Sequence, residues 1–232
     1  MTRSKRIQNS VTAKISIVDY SLGNLESIRL AFAHVGVEAT VTGDPAELRD
    51  APALILPGVG AFGNAMKALE HRGLVDVLHE FAASGRPLVG ICLGMQLLLD
   101  GSEEFGDHAG LGLIPGRVLR FPSPGRDSDG RLEHGAKVPQ VGWNRVEPPR
   151  GRPTAWKGSP LEGITPGAYL YFMHSLYAAP DSASDVLGET KYAGVRFCSA
   201  LQRDNLIGFQ FHPERSSEVG LAIYKNLARM LA

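Results

Sequence analysis

Through its first hundred residues this chain alternates short, continuously apolar runs with segments of helical period, and few architectures accommodate that alternation. Lys14 to Asp19 reads as a strand rich in β-branched residues. Leu25, Ile28, Phe32 and Val35 then recur at helical spacing, with Gly36 as a stop. Val37 to Thr42 is a second strand. Ala53 to Leu56 is a third, cut off by Pro57-Gly58-Val59-Gly60. Two helical segments follow, one through Met66 and Leu69 and one through Leu74, Val77, Leu78 and Phe81, and Pro87 to Ile91 forms another apolar strand. Strands without polar alternation are buried on both faces, which implies a parallel sheet covered by helices on each side.

Beyond Asp100 glycine and proline become frequent, and the strands at Arg117 to Phe121 and Gln140 to Val146 look antiparallel or edge-like. Further strands are expected at Tyr169 to Phe172, Val186 to Tyr192, Val195 to Leu201 and Leu206 to Phe211. A last helix spans Ser217 to Leu231, with Val219, Ile223, Leu227 and Leu231 on one face. Pro122 to Glu133 reads as an exposed loop. The expected fold is therefore α/β: one domain over residues 14–232, with a mostly parallel central sheet flanked by helices and additional antiparallel strands. A basic arm over residues 1–13 is expected to be disordered.

The formal charges cancel, 24 Lys and Arg against 24 Asp and Glu, so there is no basic footprint for nucleic acid or an anionic membrane. The longest mostly apolar stretch, Leu88 to Leu99, falls well short of the roughly 20 residues a membrane helix needs. Met1 to Ser10 lacks the apolar core of a leader peptide. Two cysteines make no disulfide framework, and no Cys/His spacing suits zinc, so no metal site is expected. Without a G-x-G-x-x-G or P-loop pattern, no nucleotide cofactor is called for either. These features place the chain in a reducing, cytoplasmic setting.

The sharpest local signal is Gly90-Ile91-Cys92-Leu93-Gly94, immediately after a strand and opening an apolar helical segment. A nucleophile on such an elbow is held in strained backbone geometry, and the flanking glycines remove steric conflict. It also sits at a helix N-terminus, where the macrodipole favours thiolate. Cys198, between Phe197 and Ser199 in mid-strand, reads instead as a buried structural residue.

Seven histidines compete as the partner base. His34, His71 and His79 fall in helices, His108 and His134 in polar loops, and His174 near a strand end. His212 directly follows the apolar run Leu206 to Phe211 and begins His212-Pro213-Glu214. In open α/β sheets the working site lies outside the carboxyl ends of the strands, where Cys92 and His212 can converge. Glu214 is then the third member of a Cys–His–Glu triad, fixing the imidazole tautomer. Donors for a developing oxyanion would be the Leu93 N–H and an amide of the Gly58-Val59-Gly60 loop, whose glycines permit a peptide flip.

Taken together, these motifs resemble the class I glutamine amidotransferases, and within them the glutaminase subunits of imidazole glycerol phosphate synthases. The resemblance runs from about Lys14 to the C-terminus. It rests on Asp19-Tyr20-Ser21-Leu22-Gly23-Asn24, Leu56-Pro57-Gly58-Val59-Gly60-Ala61-Phe62, the cysteine elbow through Leu98, Val141-Gly142-Trp143-Asn144, Tyr171-Phe172-Met173-His174-Ser175 and Phe209-Gln210-Phe211-His212-Pro213-Glu214.

The resemblance implies that Cys92 attacks the glutamine amide, that His212 delivers the proton releasing ammonia, and that Glu214 orients His212. It also implies that Gln96, Glu104 and Ser175 hold the glutamine, with no cofactor. It adds a partner, a (β/α)8-barrel cyclase subunit that receives the ammonia in histidine biosynthesis. Three positions depart from the family's habit: Gln140 where His is frequent, Arg215 where Lys is common, and Leu176 where an aromatic often stands. A glutaminase subunit feeding a surface-sugar amination enzyme is the near alternative. A cysteine peptidase of similar fold and a non-catalytic interaction protein are the more distant ones.

Overall fold

The computed structural model of the protein describes residues 14–122 and 137–231. The basic arm, His134 and nearly all of the expected loop at 122–133 lie outside the described residues. The first half runs β1 (Lys14–Val18), α1 (Leu25–His34), β2 (Glu38–Thr42), α2 (Pro45–Asp50), β3 (Leu54–Leu56), α3 (Phe62–His71), α4 (Leu74–Ala83), β4 (Leu88–Ile91) and α5 (Leu93–Leu97). The second half adds β5 (Leu99–Ser102), β6 (His108–Ala109), β7 (Ile114–Arg120), β8 (Gln140–Val146), β9 (Ala168–His174), β10 (Leu176–Pro180), β11 (Val186–Tyr192), β12 (Val195–Arg203), β13 (Leu206–Phe209) and α6 (Ser217–Met230).

The main sheet has the order β2-β1-β3-β4-β13-β12-β10-β7-β5-β6, with β11 paired to β12. Its first five strands are mutually parallel, and β12, β10 and β11 continue it antiparallel. The inner parallel strands β3, β4 and β13 are buried on both faces, as their apolar runs require, whereas the edge strand β2 is partly exposed. One face is covered by α3, α4 and α5, through residues such as Leu69, Leu78 and Met95. On the other lie α1 and α6, where Phe32 meets Tyr224 edge-on at 4.7 Å. The strands β8 and β9 form a separate hairpin-like pair, tied to the main sheet by a bridge between Glu147 and Glu189.

Three departures from the sequence reading have physical causes. The helix after the elbow is only Leu93–Leu97, because the carbonyls that would continue it are claimed elsewhere. Leu111 N–H donates to Leu97 O, Leu113 and Ile114 N–H to Leu98 O, and Gly112 N–H to Leu99 O. The chain therefore turns directly into β5, a tertiary override of helical period. The short α2, not expected, is set by Asp44, whose carboxylate accepts from the Ala46 and Glu47 N–H groups ahead of Pro45 in the first turn. His108, expected in a loop, falls in β6, and its ring packs where a side chain on Gly63 would stand.

The central strand β4 lies between β3 and β13, with Leu56 opposite Gly90 on one side and Phe209 opposite Ile91 on the other. Its carboxyl end delivers the elbow, which packs hard against its neighbours. A Cβ on Gly94 would lie 1.8 Å from the Leu56 carbonyl oxygen, and one on Gly90 would lie 2.6 Å from Met95 N. No rotamer relieves contact with backbone. Gly94→Ala is therefore expected to destabilise the protein by about 3 kcal/mol or more, at the upper end of overpacking costs. Thermal unfolding should show a fall in Tm of roughly 6–12 °C, and a variant melting within about 2 °C of wild type would contradict this packing.

Candidate active site

The backbone turns at Cys92 with φ 55° and ψ −110°, a conformation that non-glycine residues rarely adopt. Two neighbours hold it there: Cys92 N–H donates to Phe209 O at 2.7 Å, and α5 begins at Leu93. The turn lifts the thiol off the end of β4 into a cavity of about 260 Å³. Val59, Gly60, Leu93, Gln96, Glu104, Ser175 and Leu176 share its lining with Cys92. Gly58 does not line it. It lies beneath, where a Cβ would meet Tyr20 Oη at 2.7 Å and Leu93 Cβ at 2.8 Å, so the glycine lets this loop rest directly on the elbow.

Behind the cysteine, β13 leads into His212, which is 3% exposed. Its Nδ1 lies 2.8 Å from Glu214 Oε1, and its buried Nε2 has no hydrogen-bond partner among the described residues. Burial alone would pull this imidazole down. The adjacent Cys92 sulfur and the Glu214 carboxylate outweigh it and hold the ring up at about 10. Glu214 orients the ring with Nδ1–H toward itself, which leaves Nε2 as the nitrogen not engaged by the carboxylate. The main chain is pinned as well, with His212 N–H donating to Tyr171 O and Ser216 Oγ–H donating to His212 O.

The other imidazole at the site behaves oppositely. Burial pushes His174 down to about 4, so it stays neutral, and its Nδ1 lies 2.7 Å from the Leu176 carbonyl oxygen. That carbonyl fixes Nδ1 as the protonated nitrogen, and Nε2 faces the Gln140 amide at 3.1 Å. His174 is thus a buried structural group, and Gln140 supports it in the place where the family often has a second histidine. Cys198 is also structural: burial pushes its thiol up, and it contacts the Ala200 carbonyl. His34, His71 and His79 are exposed on helices, and none of them lines the cavity.

The substitutions at Leu176 and Arg215 leave the polar geometry intact. Position 176 contributes its carbonyl, which takes hydrogen bonds from Gln96 and His174, while its side chain packs in the core. The Arg215 guanidinium lies 4.6 Å over the Tyr171 ring, a stacking role that a guanidinium fills well. Glu104 Oε2 accepts from Phe62 N–H at 2.5 Å, so one carboxylate oxygen caps α3 directly after the glycine loop.

Two residues at the site were not singled out from sequence. Tyr20, fully buried, donates from its hydroxyl to Pro57 O at 2.7 Å and anchors the start of the glycine loop. Burial first, and the Cys92 charge second, push that hydroxyl up, so it remains a donor. Gln210, also fully buried, lies between Cys92 and Gln96. Its signal was present: it is the one polar residue between Leu206 and His212.

A buried thiol, an imidazole with raised proton affinity and a carboxylate, gathered at strand ends beside a cavity, can perform acyl transfer from a small amide. Among the described residues no group of three or more His, Cys, Asp or Glu side chains is placed to hold a metal.

Comparison with known proteins fits this site. A sequence model of the glutamine amidotransferase class-I family matches residues 16–229. The chain is 47% identical over 216 residues to a protein of Sulfurimonas denitrificans named imidazole glycerol phosphate synthase subunit HisH, covering 93% of this chain and 97% of that one. It is 48% identical over 217 residues to the protein of the same name from Wolinella succinogenes, covering 93% and 99%. Among solved structures, PurLQS from Thermotoga maritima superposes with a TM-score of 0.69 at 18% identity, covering 95% of this chain and 100% of that one, a likeness of fold. The strand order, the cysteine elbow and the near full-length family match agree: the chain belongs to the class I glutamine amidotransferases.

Proposed function

We propose that this chain is the glutaminase subunit of an imidazole glycerol phosphate synthase, acting in histidine biosynthesis. The observation that carries the chemistry is the convergence of Cys92, at a strained elbow, with a His212 whose proton is held by Glu214. The names of the nearly full-length relatives favour this assignment over a sugar-amination glutaminase.

In this reading the Cys92 sulfur attacks the side-chain amide carbon of glutamine. The carbonyl oxygen becomes an oxyanion, met by Leu93 N–H, which has no intrahelical partner as the first residue of α5, and by an amide of the Gly58-Val59-Gly60 loop. His212 passes its Nε2 proton to the nitrogen, the C–N bond breaks, and ammonia leaves a thioester on Cys92. Water then attacks the thioester, His212 takes its proton, and glutamate departs as the C–S bond breaks. Gln96, Glu104 and Ser175 line the cavity and would hold the amino-acid end of the substrate.

The partner in this proposal is the (β/α)8-barrel cyclase subunit, in a cytoplasmic heterodimer. The outer face of β8 and β9 suits that role, with Val141 and Trp143 of β8 and Tyr169 and Met173 of β9, the strand that ends at His174, all exposed. No helix among the described residues is long and apolar enough to cross a membrane. Ammonia set free in water at neutral pH becomes ammonium, a non-nucleophile, so hydrolysis uncoupled from a receiver wastes glutamine.

Cys92→Ala should abolish glutamine hydrolysis while leaving ammonia-driven synthesis by the assembled enzyme intact, measured as imidazole product with each nitrogen source. Retained hydrolysis would remove Cys92 from the chemistry. The alkaline limb of kcat/KM should fall where His212 of the free enzyme loses its proton, near pH 10. Because Glu214 helps hold that proton, Glu214→Gln should move the limb to lower pH and lower the plateau, and an unmoved limb would count against the triad. Partner binding should act on the glycine loop. Gly60, at φ 98°, already sits in backbone space that other residues rarely adopt. Glutamine turnover is expected to rise at least about tenfold on adding the barrel subunit and its nucleotide ligand, below the 10²–10³ worth of one oxyanion donor. A lone chain at the full rate of the complex would defeat this part.

A further inference from the structure

The relay of side-chain amides behind Cys92 has only one consistent orientation, and a backbone group fixes it. Gln96 Nε2 lies 3.0 Å from the Leu176 carbonyl oxygen, which can only accept, so the amide nitrogen of Gln96 must face it. The second N–H of the same nitrogen points at Gln210 at 2.8 Å, so Gln210 must offer its oxygen there. That choice turns the Gln210 nitrogen toward Cys92 Sγ, 3.8 Å away. It also commits both N–H groups of Gln96, leaving its oxygen as the end available to the cavity that Gln96 lines.

Sheet register makes the relay possible. Phe209 lies opposite Ile91, so the next residues of the two strands, Gln210 and Cys92, stand side by side at the carboxyl ends. Gln96 follows one turn along α5 and reaches back to the same place.

We infer that Gln210 is a positioning residue with two tasks: it donates a hydrogen bond to the Cys92 sulfur, and it locks the Gln96 amide with its oxygen toward the bound amino acid. The first task selects the thiolate. In the thiol form S–H can donate to the Met173 carbonyl, 3.8 Å from Sγ, but an ionised sulfur only accepts. Gln210 N–H then remains as a donor to it beside the His212 imidazole. A hydrogen bond available to the charged form favours ionisation. The second task gives the pocket an acceptor, which fits an N–H group of glutamine.

This inference rests on the reading of Cys92 as the nucleophile, and the test separates the two. Iodoacetamide alkylation of Cys92 is followed against pH in the full chain, with peptide mass mapping to count Cys198 apart, and kcat and KM for glutamine are measured with the barrel subunit present. Gln210→Met removes both polar ends at similar volume. Its alkylation profile should move up by about one pH unit, and KM should rise severalfold as Gln96 is released. Gln210→Glu keeps an acceptor for Gln96, so KM should stay within about twofold of wild type. A carboxyl is a far stronger acid than a thiol, so it takes the negative charge and leaves the sulfur protonated, and the alkylation profile should move further than in the Met variant.

An unmoved profile in the folded variants would overturn the first task, and equal KM changes in the two would overturn the second. If Gln210→Met does not fold, the Glu variant alone decides the first task, and glutamine KM in Gln96→Glu, which keeps an acceptor but not its amide N–H bonds, decides the second by rising if the amide must be locked. Hydrolysis surviving in Cys92→Ala would instead defeat the reading of the nucleophile, whatever the Gln210 variants do.

Discussion

The close approach of the elbow to strand β3 is the contact on which the rest of the site depends. Gly94 lies so near the Leu56 carbonyl that no side chain fits between them, and Gly58 rests on Leu93 from the same side. These contacts press the start of α5 against the glycine loop and bring Leu93, Val59 and Gly60 to one cavity, with Gly58 beneath it. The strained conformation at Cys92 costs of order 1–3 kcal/mol, and it persists because β3, β13 and α5 over-determine the turn. The buried parallel sheet is thus the frame that holds Cys92 out of the ordinary regions of backbone space.

Charge at the site is arranged by opposition. Two imidazoles stand near the same cavity. His174, enclosed and bonded through Nδ1 to a neutral carbonyl, stays uncharged, whereas His212, equally enclosed, keeps its proton because a carboxylate and a sulfur flank it. The difference lies in partners rather than in burial, and it leaves one ring neutral in the wall and the other protonated, the state the proposed proton transfer calls for.

The parallel half of the fold and the elbow were legible in the sequence because their determinants are local. Uninterrupted apolar runs mark doubly buried strands, and the glycines around Cys92 mark a turn too tight for side chains. The strand β8 begins and ends where alternation of side chains does. The resemblance drawn from the motifs is matched by the family comparison over residues 16–229. What stayed hidden is non-local. The early end of α5 is imposed by residues 111–114, more than ten positions away, and its own leucines carry no sign of it. Strands β5, β6 and β10 are short and depend on pairing partners. Gln210 and Tyr20 act through contacts with Cys92, Gln96 and Pro57 that only the folded register creates.

The carbonyl of Leu176 serves two groups at once, the Gln96 amide and the His174 ring, and in doing so sets the direction of the Gln96 and Gln210 amides behind Cys92. A main-chain oxygen is present whatever side chain the gene encodes. The position is therefore free to drift between an aromatic and leucine under the demands of packing alone, with the polar relay passing unchanged through the substitution. Side-chain scanning would score it as core filler. Its electronic contribution belongs to the peptide unit, and weakening that one acceptor, for instance by replacing the following amide link with an ester, is the chemical edit that would expose it.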